Sequence, residues 1–514
     1  MTNWAGGYVS DIPYTSDFYR EMAPVSLYLA ALLRNVRPPA ITAPYNYCEL
    51  ACGQGVGTML LAAANPQGRF YGYDFSPGMI RNAESLLVES GLKNCVIGEE
   101  SFASLCEKSD SELPMFDFIA LHGTYTWVDA ERRREIVQFV GKRLKPGGLF
   151  YISWNCMPGW TPMLAAQRMM VELARRVPGR TQTKIEHALG MLRQLNENNA
   201  KLFAANPDLG LRLKTAETQD RAYLAHEFFN DTWEPLYVTD VMRDLADAKL
   251  SFVGSAQYGE MYDEFVVPPE LLALLNDAPD AGMRELLRDM AVNAQFRRDL
   301  YVRGEARLPA IEQRRLLGEL GVVLSKPADK IELAVKLMIG DADLPPALYA
   351  PIVAALASGA KTIDELDSLP AMANQSFNAV LQCAVMLVHT GQAALVPPRQ
   401  AAGARSAVET SRALNLALAM RTRYGEDPKF LAAGKTGSAI GTNVIDRLLY
   451  PILLEPTRPS PSDLAAFVVG YFRQTGRQML QHGAPVASIE LETVQQVNDL
   501  LQTKLPVWRE LGVL

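Results

Sequence analysis

The chain has 514 residues, 48 % hydrophobic and 21 % charged, a balance that implies a globular protein with several cores rather than one. A formal net charge of -7 excludes the overall basic character that a sequence-independent hold on nucleic acid needs, so no nucleic-acid partner is expected. No stretch reaches the roughly 18 uninterrupted apolar residues of a membrane span, and the start Met1-Thr-Asn-Trp-Ala-Gly-Gly has neither the basic region nor the apolar core of a secretory signal, which predicts a cytoplasmic location.

The cysteines at 48, 52, 95, 106, 156 and 383 form no Cys-x-x-Cys pair, and the five histidines fall at no metal-ligand spacing. They read as reduced core thiols, with no metal site expected. In chain order, Tyr8-Val-Ser-Asp-Ile-Pro-Tyr-Thr-Ser-Asp-Phe-Tyr-Arg20 is rich in Tyr and Asp, where an exposed tail would carry Ser, Glu and Lys. It is either a staple packed on the next domain or a cover over its ligand. Residues 24–35 then form an amphipathic helix stopped by Pro38-Pro39.

The centre of the pattern is Glu49-Leu-Ala-Cys-Gly-Gln-Gly-Val-Gly57, preceded by the short apolar strand Tyr45-Asn-Tyr-Cys-Glu-Leu50 and followed by the helical run Thr58-Met-Leu-Leu-Ala-Ala-Ala64. Strand, glycine turn and helix in this order begin a doubly wound α/β sheet, with the helix N-terminus facing a ligand. The glycines alone fit a dinucleotide site or a plain turn equally well. Glu49 separates the ligands, because a carboxylate there repels a pyrophosphate and attracts the cationic amino-acid end of S-adenosylmethionine. The next strand, Arg69-Phe-Tyr-Gly-Tyr-Asp74, ends in an acid about 20 residues beyond the loop, the offset at which a carboxylate reaches a ribose diol. Asp74 would alternatively cap the helix that starts at Ser76-Pro77.

The pattern continues as helix 79–90, strand 95–98, strand 117–121, helix 130–144, the turn Lys145-Pro-Gly-Gly148 and strand 149–154. Such alternation gives a mostly parallel sheet whose ligands lie beyond the strands' carboxyl ends. His122-Gly-Thr-Tyr-Thr-Trp127 and Asn155-Cys-Met-Pro-Gly-Trp160 should therefore both face the site.

Glu-x-x-x-Gly-x-Gly, the strand ending in Asp74, Asn94-Cys-Val-Ile-Gly-Glu-Glu-Ser-Phe102 and Phe116-Asp-Phe-Ile-Ala-Leu121 resemble the class I methyltransferases in order and spacing. The runs at 122–128 and 152–160, with Tyr223-Leu-Ala-His-Glu-Phe-Phe-Asn230, narrow the likeness. They resemble bacterial methyltransferases with a methyltransferase regulatory domain, a group that includes the protein lysine methyltransferases of rickettsial outer-membrane proteins. The resemblance implies a Rossmann-like α/β catalytic domain with a helical insertion, then mainly α accessory domains. It also implies S-adenosylmethionine as cofactor, held by Glu49, Ala51, Gly53, Gly55, Asp74, Phe75, Met79, Glu100, Ser101, Phe102, Leu121 and His122.

On the acceptor side the candidates for steering or taking a proton are Tyr8, Tyr14, His122 and Tyr125, with Trp127 and Asn155 lining the pocket. Trp127, Trp154 and Trp160 would hold a cation or an aliphatic stem. The acceptor implied by resemblance is a protein lysine. The alternatives are a small-molecule methyltransferase and a non-catalytic sensor of S-adenosylmethionine.

The expected domains are 1–161 for catalysis, 162–235 as a helical cap or dimer contact, 236–267 completing the sheet, 268–340 helical, 341–398 winged-helix-like and 406–514 helical. His226 and Glu227 fall on an apolar helical face, where a hydrogen-bonded buried His is the simpler reading. Arg297, Arg298 and Arg303 read as a solvated helix end. The helix 376–388 carries no Arg or Lys, so the winged-helix-like module would bind protein or be structural rather than read DNA. Residues 397–405 have a linker's composition. Gly434-Lys-Thr436 is no phosphate-binding loop, because position 429 is Lys rather than Gly.

Overall fold

Seven strands make the central sheet: β1 (Tyr45–Leu50), β2 (Gly68–Asp74), β3 (Cys95–Glu99), β4 (Phe116–Leu121), β5 (Leu144–Asn155), β6 (Leu250–Ser255) and β7 (Phe296–Arg303). The computed structural model describes residues 17–219, 221–230, 232–398, 401–425, 427–457, 459–481 and 484–514. Tyr8 and Tyr14 lie outside the described residues. In space the strands run β3-β2-β1-β4-β5-β7-β6. The first five pair in parallel, and β7 is antiparallel to both of its neighbours. Strand order reverses between β1 and β4, so the loops after these two strands part there and leave a crevice at their carboxyl ends.

The crossovers are α2 (Val56–Ala64), α3 (Pro77–Ser90), α4 (Phe102–Glu107) and α5 (Ala130–Arg143), and α1 (Pro24–Leu33) precedes the sheet. Side chains of β1 alternate between two cores. Tyr47 packs with Met59 and Phe118 on one face, and Cys48 and Leu50 pack with Ile119, Phe150 and Trp154 on the other. A strand covered on both faces reads as a continuous apolar run, which is why β1 was legible. The turn at 145–148 falls inside β5, where it appears as a shift of register against β4.

The insertion after β5 comprises α6 (Thr161–Arg176), α7 (Thr181–Glu197), α8 (Lys201–Ala205), α9 (Pro207–Thr218) and α10 (Arg221–Phe228), with a core of its own around Met170, Leu189, Leu192 and Phe203. α7 and α8 are separate helices because Asn199 between them turns left-handed at φ 54°. The chain then passes through α11 (Val238–Ala246), β6, α12 (Pro269–Asn276) and α13 (Ala281–Val292) into β7.

β7 corrects the helical reading of 268–340 at residues 296–303, and with it the solvated helix-end reading of Arg297. Arg297 is 6 % exposed and Asp299 1 %, so the inward face of this strand is charged and its two-residue alternation is hidden from a hydrophobicity pattern. The Arg297 guanidinium reaches Asp299 at 2.9 Å, Asp289 at 2.6 Å and Glu285 at 2.8 Å, the last two on α13.

Farther on come the helix Pro346–Leu356, strand Lys361–Thr362, helices Ile363–Asp367 and Phe377–His389 and strand Ala393–Val396. Strand Gly321–Leu324 sits between the two others in an antiparallel sheet. The linker reading of 397–405 fails in its second half, because helix Ala401–Arg421 has already begun. That helix lies against the catalytic domain. Thr410 donates to the Ala63 carbonyl at 2.5 Å, and Arg421 pairs with Glu89 at 2.7 Å. Lys435 donates to the Arg509 carbonyl at 2.9 Å, so the Gly434-Lys-Thr436 loop anchors the chain's last helical turns. Among the described residues no helix is long and apolar enough to cross a membrane.

Candidate active site

β1 places Glu49 one residue before its end, 8 % exposed, with its Oε2 accepting a hydrogen bond from Thr58 Oγ1 of α2 at 2.5 Å. Burial raises its pKa to about 7; the Thr58 bond acts against the rise and the charge of Asp74 adds to it. A buried carboxyl whose partner is a neutral hydroxyl is a socket for a cation, because a positive group there restores the ionised form. Gly57 of α2 lies against the same carboxyl, where an added Cβ would stand in ordinary contact, 3.6 Å from both oxygens.

The turn after β1 is left-handed at Ala51, Gly53 and Gly55, with φ of 55°, 55° and 65°. Ala51 adopts this region despite its side chain, a strain of the kind that clusters at ligand sites. Gly55 has no alternative, because a Cβ would lie 3.0 Å from Ile97 Cδ1 and 3.3 Å from Ala83 Cβ. Gly55→Ala is expected to lower stability by about 1–3 kcal/mol in urea unfolding.

Asp74, at the end of β2 and 7 % exposed, fixes this loop by accepting from the Gly53 N–H at 2.9 Å and the Ser76 N–H at 2.9 Å. Burial pushes its pKa up, and the N–H groups of Ser76, Gly53 and Phe75 pull it back. It is not the helix cap, a position held by Ser76. Met79 roofs the loop, its Sδ 3.7 Å from where a Gly53 Cβ would be, and Phe75 beside it is half-buried.

After β3, the Glu100 N–H donates to the Asp74 carbonyl at 2.9 Å. The Glu100 carboxylate is already engaged by Lys108 at 2.6 Å and Ser104 at 2.7 Å. Ser101 caps α4, and Phe102 opens that helix half-buried. The structure thus brings the loop, Glu49, Asp74, Met79 and the 100–102 turn together along one edge.

Beyond Leu121, which is fully buried, the His122 ring stacks on Tyr19 with centroids 3.5 Å apart, and its Nδ1 lies 2.9 Å from the Tyr151 hydroxyl. Burial, helped by the charge of Arg298, lowers the His122 pKa to about 3. It is a neutral imidazole and a poor proton acceptor at pH 7. The Gly123 N–H donates to Ser153 Oγ at 2.8 Å, which ties this loop to β5.

Tyr125 is drawn away from the crevice, fully buried with its hydroxyl donating to Asp244 of α11 at 2.9 Å. Tyr125→Phe is therefore expected to lower stability by about 1 kcal/mol and leave turnover unchanged, as denaturation curves and initial rates would show. Trp154 is likewise a core residue at 0 % exposure. Asn155 is 4 % exposed, its carbonyl accepting from the Leu236 N–H at 3.1 Å while its Nδ2 has no partner among the described residues. Trp127 remains at the rim, half-buried.

Trp127 stacks on Trp233 at 6.0 Å, and Trp160 meets Trp233 edge-on at 5.3 Å and Phe228 at 6.5 Å. Trp160 is pinned by its Nε1 donating to the Gln295 carbonyl at 2.6 Å and covered by Arg212, 4.8 Å from the ring centroid. Thr58, Tyr151 and Trp233 carried no motif in the sequence, since each acts through a partner brought from another element.

These features meet a methyltransferase domain model that matches residues 41–207 and a predicted methyltransferase regulatory domain model that matches residues 220–303. The uncharacterized protein sll1526 of Synechocystis sp. is 34 % identical over 99 % of both chains. The chain belongs to the methyltransferases with a methyltransferase regulatory domain. This methyltransferase also resembles the uncharacterized protein RP789 of Rickettsia prowazekii, at 25 % identity over 58 % of this chain and 53 % of that one. The structure of PKMT2 from Rickettsia typhi in complex with AdoHcy shares the fold with a TM-score of 0.71 and 19 % identity, covering 97 % of this chain and 99 % of that one.

The methyltransferase depends on S-adenosylmethionine, and its own residues fit that cofactor. Glu49 offers a buried carboxyl lacking a cationic partner among the described residues, and the left-handed glycine loop leaves room for close backbone approach. Asp74 ends β2 about 20 residues beyond the loop, the offset from which a carboxylate would reach a ribose diol.

Proposed function

We propose that the methyltransferase modifies lysine side chains of a protein substrate. The observation that carries this reading is the aromatic wall of Trp127, Trp233, Trp160 and Phe228 at the exits of β4 and β5, which suits an aliphatic stem ending in a cation. The likeness of the sequence to rickettsial protein lysine methyltransferases, and of the whole fold to PKMT2, supports the same acceptor. S-adenosylmethionine, when bound, would supply an activated methyl group for a neutral nucleophile. The protein's own task is alignment and exclusion of water. Glu49 and Asp74 would hold the two ends of the cofactor, while Tyr19, His122 and Tyr151 present uncharged polar groups near its reactive centre.

The proposal includes a cytoplasmic location, a winged-helix-like protein-binding or structural module within 341–398, and a homodimer made through the insertion. Exposed Leu164, Met191, Leu195 and Leu211 on its helices favour the dimer. The test is transfer of labelled methyl from S-adenosylmethionine into cell extract, followed by acid hydrolysis of the protein fraction. Label recovered as Nε-methyllysine supports the reading. Label confined to small molecules overturns it.

A further inference from the structure

Residues 232–236 cross the carboxyl edge of the sheet at the crevice. Glu234 N–H donates to the Thr126 carbonyl at 2.9 Å, and Leu236 N–H to the Asn155 carbonyl at 3.1 Å. Just before them Trp233 stands against Trp127 and Trp160. At the other end, the last turn of α10 is tied to α6 where Gln167 Nε2 reaches the Phe228 carbonyl at 3.3 Å. This turn carries Glu227, half-buried and without a hydrogen-bond or ion-pair partner among the described residues. The sequence alone gave Glu227 no role beyond an apolar helix face.

Three observations bear on its purpose. A half-buried carboxyl with no donor beside it among the described residues carries a desolvation cost that a ligand's donor would relieve. Burial raises its pKa to about 7, close to the value that suits a proton acceptor at neutral pH. Its charge acts weakly on the phenol of Tyr19, the ring stacked on His122 at the end of β4, and it directly precedes Phe228, whose ring meets Trp160 with centroids 6.5 Å apart. The other charged groups acting on Tyr19 are Asp17, Arg298 and Glu21. His122 is held neutral by burial, leaving the proton-accepting role open.

We propose that Glu227 binds the ammonium group of the incoming acceptor and takes its proton, while the tryptophan wall lines the stem behind it. In that step an N–H bond breaks and an O–H bond forms on the Glu227 carboxylate. The acceptor becomes a neutral amine with its lone pair free, and the proton passes afterwards to water. The inference rests on the amine-acceptor reading above and adds the residue that performs the deprotonation.

The test compares two ligands of the cofactor site. S-adenosylhomocysteine lacks a cation at the transferred-methyl position, and sinefungin carries an amine there. With Glu227 ionised nearby, the wild-type protein should bind sinefungin about tenfold more tightly than S-adenosylhomocysteine, measured by calorimetry at pH 8. Glu227→Gln should remove that preference and leave S-adenosylhomocysteine affinity unchanged, whereas Glu227→Asp should keep part of it. In turnover, Glu227→Gln should also lose the rise of kcat/KM with pH near 7. A sinefungin preference equal to wild type in the Gln variant overturns the assignment. Failure of the wild-type protein to bind S-adenosylhomocysteine would be a different result, striking at the cofactor site itself.

Discussion

Glu49→Gln is expected to weaken S-adenosylmethionine binding at pH 8 by about 1.5–3 kcal/mol, roughly 10- to 150-fold in Kd, the range for a hydrogen bond made to a charged group. The substitution keeps the shape of the side chain and its bond to Thr58, so the loss reports charge. A pH dependence follows from the same carboxyl. Its pKa in the free protein is raised to about 7, chiefly by burial, and a cationic ligand beside it must lower that value. The complex therefore holds fewer protons than the free protein. Affinity should climb as pH rises toward about 7, flatten above it, and fall by up to about tenfold per unit below it. The Gln variant should show no such slope. Titrations at pH 6, 7 and 8 decide the matter, and an unchanged Kd or an unchanged slope in the variant would remove Glu49 from the site.

Arg297→Met is expected to destabilise the fold by about 3–5 kcal/mol, because it leaves the buried carboxylates of Asp289 and Asp299 without the cation they share. Asp299 shows the direction of the pH effect. Burial raises its pKa to about 7 even with Arg297 at 2.9 Å, above the value of about 3.9 in an unfolded chain. The folded state thus binds the proton more tightly. The stabilisation this provides is fully present below pH 4 and is lost as pH rises through about 7. Without Arg297 the folded pKa should climb further, so the variant should lose more stability at pH 8 than at pH 5.5. Denaturation curves at both pH values check this. An equal loss at the two pH values would mean that the arginine contributes by packing alone. Because β7 pairs Phe296 with Asn155 and Arg297 with Trp154, partial unfolding here should also loosen the end of β5 that borders the acceptor side.

The cofactor half of the site was legible because its chemistry is local. Glu49, the glycines and Asp74 fall within two strand–turn–helix units, where spacing alone brings them together. The proposed acceptor half would draw on Tyr19, His122, Tyr151, Glu227 and Trp233, which are distant in sequence and have no shared periodicity. Tyr125 and Trp154 were natural candidates as aromatic residues near strand ends, yet their side chains point into the core between β5 and α11. β7 escaped recognition for the opposite reason to β1. Its buried face carries Arg297 and Asp299, which neutralise each other inside the protein and imitate a solvated segment in the sequence.

The most direct test of the cofactor site is a calorimetric titration of the purified chain with S-adenosylmethionine and with NAD, repeated on Asp74→Ala. The account predicts one site for S-adenosylmethionine, no binding of NAD, and a loss of about 1–3 kcal/mol in the variant as the ribose contact disappears. Binding of NAD in preference, or S-adenosylmethionine affinity indifferent to Asp74, would contradict the placement of the cofactor at the ends of β1 and β2.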